Sequence, residues 1–331
     1  MDSLTQIAVG IATVEVLAGK KLGNKRTFIY GAILGTLPDL DIWIGYLFDP
    51  VKAVDFHRSL THSFLGIVLL SPLLGALFWR IEKNRISYKH SIILIAAAFT
   101  THIAIDLFTS WGVQLFYPYS TRISFKTIFV VDPLYTLPWI IALTVMWKQK
   151  GTKRLHTLKK GFLWSSAYLI WTVAAKLYAV QEFKRALEQQ NIAYQELIVK
   201  PTALNSILWQ SQVKGEQQYY IGDYSFFDTQ QIDFKTYYND PIAEKSIQHT
   251  DDFVTLVQVT EGWYIIRQQD STYHFNDLRF GVMKNQFDQE QFIFSYLFLP
   301  QNDGFKVIEA PKTTRDGKAL LKKLWIRLKG N

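Results

Sequence analysis

The sequence contains no cysteine. That excludes disulfides and removes thiolate from the available metal ligands, leaving His, Asp and Glu to hold any ion. The compartment stays open on this ground. The N-terminus lacks the basic region of a secretory signal. It begins Met1-Asp2-Ser3, and Glu15 interrupts its apolar stretch, so no cleavable leader is expected. No internal repeat is visible, which argues against the paired inverted halves of many transporters. Residues 181–331 hold no cluster of metal donors.

What is present is unevenly spread. The 331 residues are 49% hydrophobic and 15% aromatic, with a mean hydropathy of +0.03. That average hides two unlike halves. Residues 1–180 hold nearly all the long apolar runs, and the remainder has an ordinary polar composition. Charge divides the same way: 19 Lys and Arg against 9 Asp and Glu through residue 180, and 17 against 19 beyond it. The basic residues of the first half cluster between apolar runs, where the positive-inside rule explains them. A nucleic-acid partner would need them on a solvated face and is not expected.

The apolar runs are Leu4–Ala18, Phe28–Phe48, Ser63–Ile81, Ser91–Phe108, Ile128–Trp147 and Phe162–Val180. Basic loops follow the first, third and fifth. The expected fold is therefore an α-helical integral membrane bundle of about six segments, with those loops in the cytoplasm. A small β-rich extracytoplasmic domain follows. Residues 1–180 form the membrane part with the metal site. Residues 181–331 form the outer part, with strands expected at Gln217–Phe227, Phe253–Val259, Trp263–Arg267, Tyr273–Val282 and Gln291–Phe298. The tail from Lys318 to Lys329 alternates Leu and Trp with Lys and Arg, the pattern of a basic amphipathic helix. The setting is a cell membrane crossed several times, with lipid as the expected partner.

Three polar clusters interrupt the apolar runs: Asp39 and Asp41 beside Pro38, His57 and His62 around Arg58-Ser59-Leu60-Thr61, and His102 with Asp106. His102 and Asp106 are four apart and share a helix face. Imidazole ligates metal while uncharged, and ionisable groups inside a bilayer are expensive unless used. Placing the basic loops in the cytoplasm carries His57, His62, His102, Asp106 and Asp132 toward one face. The expected metal ligands are Asp39, Asp41, His57, His62, His102 and Asp106. Such donors suit zinc first, with manganese or magnesium as alternatives. Asp132 is expected to hydrogen-bond a ligating histidine, and Arg58 to hold a phosphate. His90, His156, His249 and His274 lack partners in sequence.

Several separated motifs, in order, resemble the YdjM/YbcI-type membrane-bound metal-dependent hydrolases. They are Met1-Asp2-Ser3-Leu4-Thr5-Gln6, Gly35-Thr36-Leu37-Pro38-Asp39-Leu40-Asp41, His57-Arg58-Ser59-Leu60-Thr61-His62-Ser63, Thr101-His102-Ile103-Ala104-Ile105-Asp106 and Asp132-Pro133-Leu134-Tyr135-Thr136. The resemblance spans about residues 1–180. It implies an integral membrane, metal-dependent hydrolase, and its comparison with zinc phospholipase C enzymes points to phosphoester chemistry. The expected function is hydrolysis of a lipid or lipid-linked phosphoester near the outer leaflet. The rivals are a non-catalytic, metal-stabilised scaffold that binds a partner, and a metal-ion or proton transporter.

Overall fold

A computed structural model describes residues 1–45, 47–284, 290–302, 304–311 and 317–331. The chain divides into two compact units, residues 1–43 with 56–173 and residues 44–55 with 174–331.

The first unit is helical. Helix α1 (Ser3–Thr36) absorbs the first apolar run and the start of the second and is broken at Gly23, whose φ of 75° and ψ of 169° suit glycine. The two halves fold back on each other. Gly10 meets Gly31 and Gly35, and Gly35 meets the Gln6 backbone, so closely that an added Cβ at Gly10, Gly31 or Gly35 would collide with main chain. Small residues let two helix backbones approach in this way. At its C-terminal end α1 tightens into a 3-10 turn, Leu37–Leu40, with Pro38 near its start. The short helix α2 (Asp41–Gly45) follows, and α3 (Pro50–Phe56) falls almost wholly in the second unit.

A second 3-10 turn, Leu60–His62, leads into α4 (Phe64–Glu82), capped by the Ser63 hydroxyl on the Gly66 amide. Helix α5 (Tyr88–Asp106) starts on a Ser87 cap. Helices α4 and α5 are long and apolar enough to cross a membrane. Most of α4 lies open rather than buried, and Val68, Leu69, Leu73 and Leu77 are more than half exposed. A soluble core helix would hide such a surface. Helix α6 (Pro133–Trp147) is apolar but has 15 residues. It begins at Pro133, later than the run starting at Ile128 suggests, because Asp132 caps it. Helix α7 (Thr152–Gln189) takes in the last apolar run and continues past it to Gln189.

Two clusters of buried side chains hold this unit. One joins Ala8, Val9, Ile11 and Ala12 of α1 to Tyr135, Trp139 and Leu143 of α6. The other joins Val14, Ala18 and Leu34 of α1 to Leu94, Ala98 and Phe99 of α5 and Phe78 of α4. Far along α1 from Gln6, the Arg154 guanidinium forks onto the buried Glu15 carboxylate through two 2.6 Å bonds.

The second unit has two antiparallel four-stranded sheets in sequential order. The first holds β1 (Glu196–Pro201), β2 (Leu208–Lys214), β3 (Gln218–Ser225) and β4 (Phe234–Tyr238). Helices α8 (Pro241–Ile247) and α9 (Asp251–Val259) follow. The second sheet holds β5 (Tyr264–Gln269), β6 (Thr272–Lys284), β7 (Glu290–Gln301) and β8 (Gly304–Glu309). The strand expected at Phe253–Val259 is α9 instead. Thr250 caps it, Asp251 and Asp252 suit its positive end, and Phe253, Leu256 and Val259 fall on one buried face. Its β-branched and aromatic residues mimic a strand. The chain ends in α10 (Gly317–Leu328), the helix expected of the basic tail.

Candidate metal centre

Three pieces of the first unit bring donors together. The 3-10 turn after α1 presents Asp39, the turn before α4 presents His62, and the last turn of α5 presents His102 and Asp106. One donor atom from each of these four lies within 4.8 Å of the others. His62, His102 and Asp106 are buried, and the Asp39 side chain is 24% exposed.

Hydrogen bonding fixes which ring nitrogens face the centre. His102 Nδ1 lies 2.7 Å from the Gly35 carbonyl, which can only accept, so Nδ1 carries the proton. Thr61 Oγ1 donates to Asp41 Oδ2 at 2.6 Å, and His62 Nδ1 lies 3.0 Å from the same hydroxyl. A hydroxyl has one proton, so His62 Nδ1 donates to Thr61. Both rings therefore turn Nε2 inward, and the two Nε2 atoms stand 3.1 Å apart. Asp39 Oδ1 lies 3.3 and 3.5 Å from those nitrogens. Asp106 Oδ2 lies 3.5 and 3.7 Å from them.

Two ring nitrogens and two carboxylate oxygens at this spacing need positive charge among them, which a proton or a metal ion supplies. Asp39 Oδ1 is buried without a hydrogen-bond partner, and Asp106 Oδ2 has the Arg58 guanidinium on its far side at 3.0 Å. Bonds of roughly 2.0–2.1 Å around a tetrahedral ion place neighbouring ligand atoms about 3.3 Å apart. The contacts above bracket that value, and two carboxylates balance a divalent charge. The group can hold a divalent ion. His62 reports the same field on a proton. Burial works against its charged form, but the carboxylates of Asp106, Asp39 and Asp41 outweigh burial and push it up to about 10.

Four of the six expected ligands share this group. Both oxygens of Asp41 are committed elsewhere. Oδ1 accepts from His57 Nδ1 at 2.7 Å, and Oδ2 accepts from the Arg58 amide at 3.0 Å and from Thr61. His57 thus stands behind Asp41, outside the group of four, with its carbonyl accepting from Arg122 at 3.0 Å. Asp41 and Thr61 orient His62, the role that carboxylates play behind metal-bound imidazoles.

Asp132 is corrected more fully. Its carboxylate accepts from the Leu134 and Tyr135 amides and from the Tyr168 hydroxyl, and from no histidine. It caps α6. Arg58 is buried, and its Nη2 lies 3.0 Å from Asp106 Oδ2. It braces a donor rather than reaching into the open for a phosphate. Its backbone φ of 61° is rare for a bulky residue, and strain of this kind gathers at functional sites.

The residues missed in sequence are Gln6, Gly35 and Thr61. Gln6 Nε2 donates to Asp106 Oδ1 at 2.9 Å, and that oxygen also meets the Met1 amino group. Gln6 could have been found: it is an amide inside an apolar run, and it is fully buried. Gly35 acts through its backbone, which no side-chain pattern reveals.

The chain matches the family described as YdjM inner membrane protein over residues 1–182. It is also similar to the "Uncharacterized protein YfhP" of Bacillus subtilis (strain 168), 21% identical over 257 residues, which cover 75% of each chain. No solved structure matches it. This chain belongs to the YdjM family of inner membrane proteins.

Proposed function

We propose that this chain is a membrane-embedded, metal-dependent hydrolase of a lipid or lipid-linked phosphoester. The observation that carries the reading is the pair of inward-facing Nε2 atoms, 3.1 Å apart, beside a buried Asp39 oxygen with no hydrogen-bond partner and the buried Asp106 carboxylate. Asp39, His62, His102 and Asp106 would hold the ion, with zinc the best fit to two imidazoles and two carboxylates. A bound divalent ion supplies hydroxide near neutral pH and polarises a phosphoryl oxygen. The protein's own part is to fix the donors. Gly35 sets His102, Thr61 and Asp41 set His62, and Arg58 and Gln6 set Asp106. Asp39 is the one partly exposed member of the four, so the open side of the centre, where substrate and water arrive, lies at Asp39.

The membrane family and the exposed apolar face of α4 favour a substrate already in the bilayer. In this reading the first unit crosses the membrane as about six segments, with the basic loops inside. Residues 181–331 lie outside, and the centre sits near the outer leaflet. The test is elemental analysis of the purified chain, followed by phosphate release from lipid phosphoesters with and without a chelator. Bound metal with chelator-sensitive release, abolished in His62→Ala, is the expected result. Bound metal without turnover on any lipid phosphoester favours the metal-stabilised scaffold instead. A metal-free protein removes the reading.

A further inference from the structure

We propose that α10 is an interfacial helix that rests on an anionic lipid surface. This goes beyond the hydrolase reading and does not depend on it. From Gly317 to Asn331 the chain has no acidic residue. Its C-terminal end is clamped to the β-rich unit. Arg327 forks onto Asp228 at 2.6 and 2.7 Å, and the Ser225 hydroxyl donates to the Leu328 carbonyl. That anchor turns one arc of the helix outward.

The outward arc carries Leu321, Trp325 and Ile326, exposed by 53%, 59% and 58%, interleaved with the exposed Lys322 and Lys329. The Lys329 ammonium stands 5.0 Å from the Trp325 ring. A face of this kind fits neither water nor a protein core. Hydrating exposed leucine, isoleucine and tryptophan is unfavourable, while lysines between them cannot be buried in a dry interface. At a bilayer surface both are satisfied. Apolar groups enter the acyl boundary, tryptophan sits at head-group level, and lysine stems lift their charges to lipid phosphates. Charge complementarity selects anionic lipid. The same chain carries α4 and α5, apolar and long enough to span a bilayer, so such a surface is at hand.

Because the sequence has no cysteine, one introduced thiol reports one position. Leu321→Cys and Ile242→Cys are made in the full chain, spin-labelled and reconstituted. The vesicles are equal parts phosphatidylglycerol and phosphatidylcholine, or phosphatidylcholine alone. Ile242 is 78% exposed on α8 of the same unit and serves as the aqueous reference. The expected result is a Leu321 label relaxed more by lipid-soluble oxygen than by a water-soluble nickel chelate in the anionic vesicles, with the Ile242 label showing the reverse. Lys322→Glu with Lys329→Glu should move the Leu321 label toward nickel and leave the Ile242 label unchanged. A Leu321 label as open to nickel as the reference overturns the proposal. So does a label shielded from both reagents by protein, or a depth indifferent to charge reversal.

Discussion

The backbone carbonyl of Gly35 accepts the Nδ1 proton of His102 at 2.7 Å. That contact leaves Nε2 as the only basic nitrogen of the ring and aims it at His62. Removing either imidazole should therefore abolish binding rather than weaken it. His62→Ala and His102→Ala are expected to lose bound metal in elemental analysis, whereas His156→Ala and His249→Ala keep it. Full metal content in both variants of the first pair would rule out the proposed centre.

The same centre should respond to pH. With His62 pushed up to about 10 in the absence of an ion, a metal must displace a proton to bind Nε2. The proton competes at every pH below that value, so affinity should rise with pH, by about tenfold per unit for one displaced proton. Competition with a chelator of known affinity between pH 6 and 8, a range of roughly neutral buffers, measures the slope. A flat profile means that no proton leaves on binding.

Asp41 and Thr61 act one layer back. Thr61→Val cuts the path from His62 Nδ1 to the Asp41 carboxylate, and Asp41→Asn removes its charge. Each should cost about 10–100-fold in metal affinity while the site still fills at high metal. Thr61→Ser keeps the hydroxyl and should restore binding. If serine and valine behave alike, the hydroxyl does not orient His62.

The two halves of α1 touch through glycine. Gly10→Ala sets a methyl group against the Gly31 carbonyl, and Gly35→Ala sets one against the Gln6 carbonyl. Overpacking of this kind costs about 1–3 kcal/mol and should lower the thermal unfolding midpoint in detergent for both. Gly35→Ala should also weaken metal binding, because it moves the carbonyl that holds His102. Equal loss of metal in the two variants would show that the effect is general loosening.

Glu15 and Arg154 form a buried pair in the same unit. Removing one charge strands the other, at about 3–5 kcal/mol, while replacing both by apolar residues is near neutral. Glu15→Ala should unfold at markedly lower temperature, and Glu15→Leu with Arg154→Met should recover most of the loss. A double variant as unstable as the single one would mean that the pair does more than cancel its own burial.

Much of this protein is legible in its sequence, for identifiable reasons. The apolar runs at Ser63–Ile81 and Ser91–Phe108 fix α4 and α5 because nothing else accommodates such surfaces. The spacing of His102 and Asp106 places both on one face of α5. What fails is of two kinds: approach between distant segments, and local backbone choices that composition does not decide. His57 and His62 look equivalent in the chain, yet only His62 reaches the centre, since Asp41 intercepts His57. Asp132 lies in a motif with Pro133, and that proline marks a helix start that the carboxylate caps. Phe253–Val259 has strand composition with helical spacing, and its Thr250 cap decides the outcome. The break at Gly23 is a single backbone angle, and a long apolar run does not reveal it.

The donors lie at positions 39, 62, 102 and 106, on three pieces of chain separated by a whole helix hairpin. During synthesis the early donors emerge well before the later ones. Until α5 has been threaded into place, Asp39 and His62 offer an incomplete cradle with weak hold on any ion. If the centre takes an ion, loading would be a late event in the life of each molecule, and a filled centre would certify that α1, α4 and α5 had already found one another. The ion would act as a seal on finished assembly, set only after the last of its three contributors has arrived.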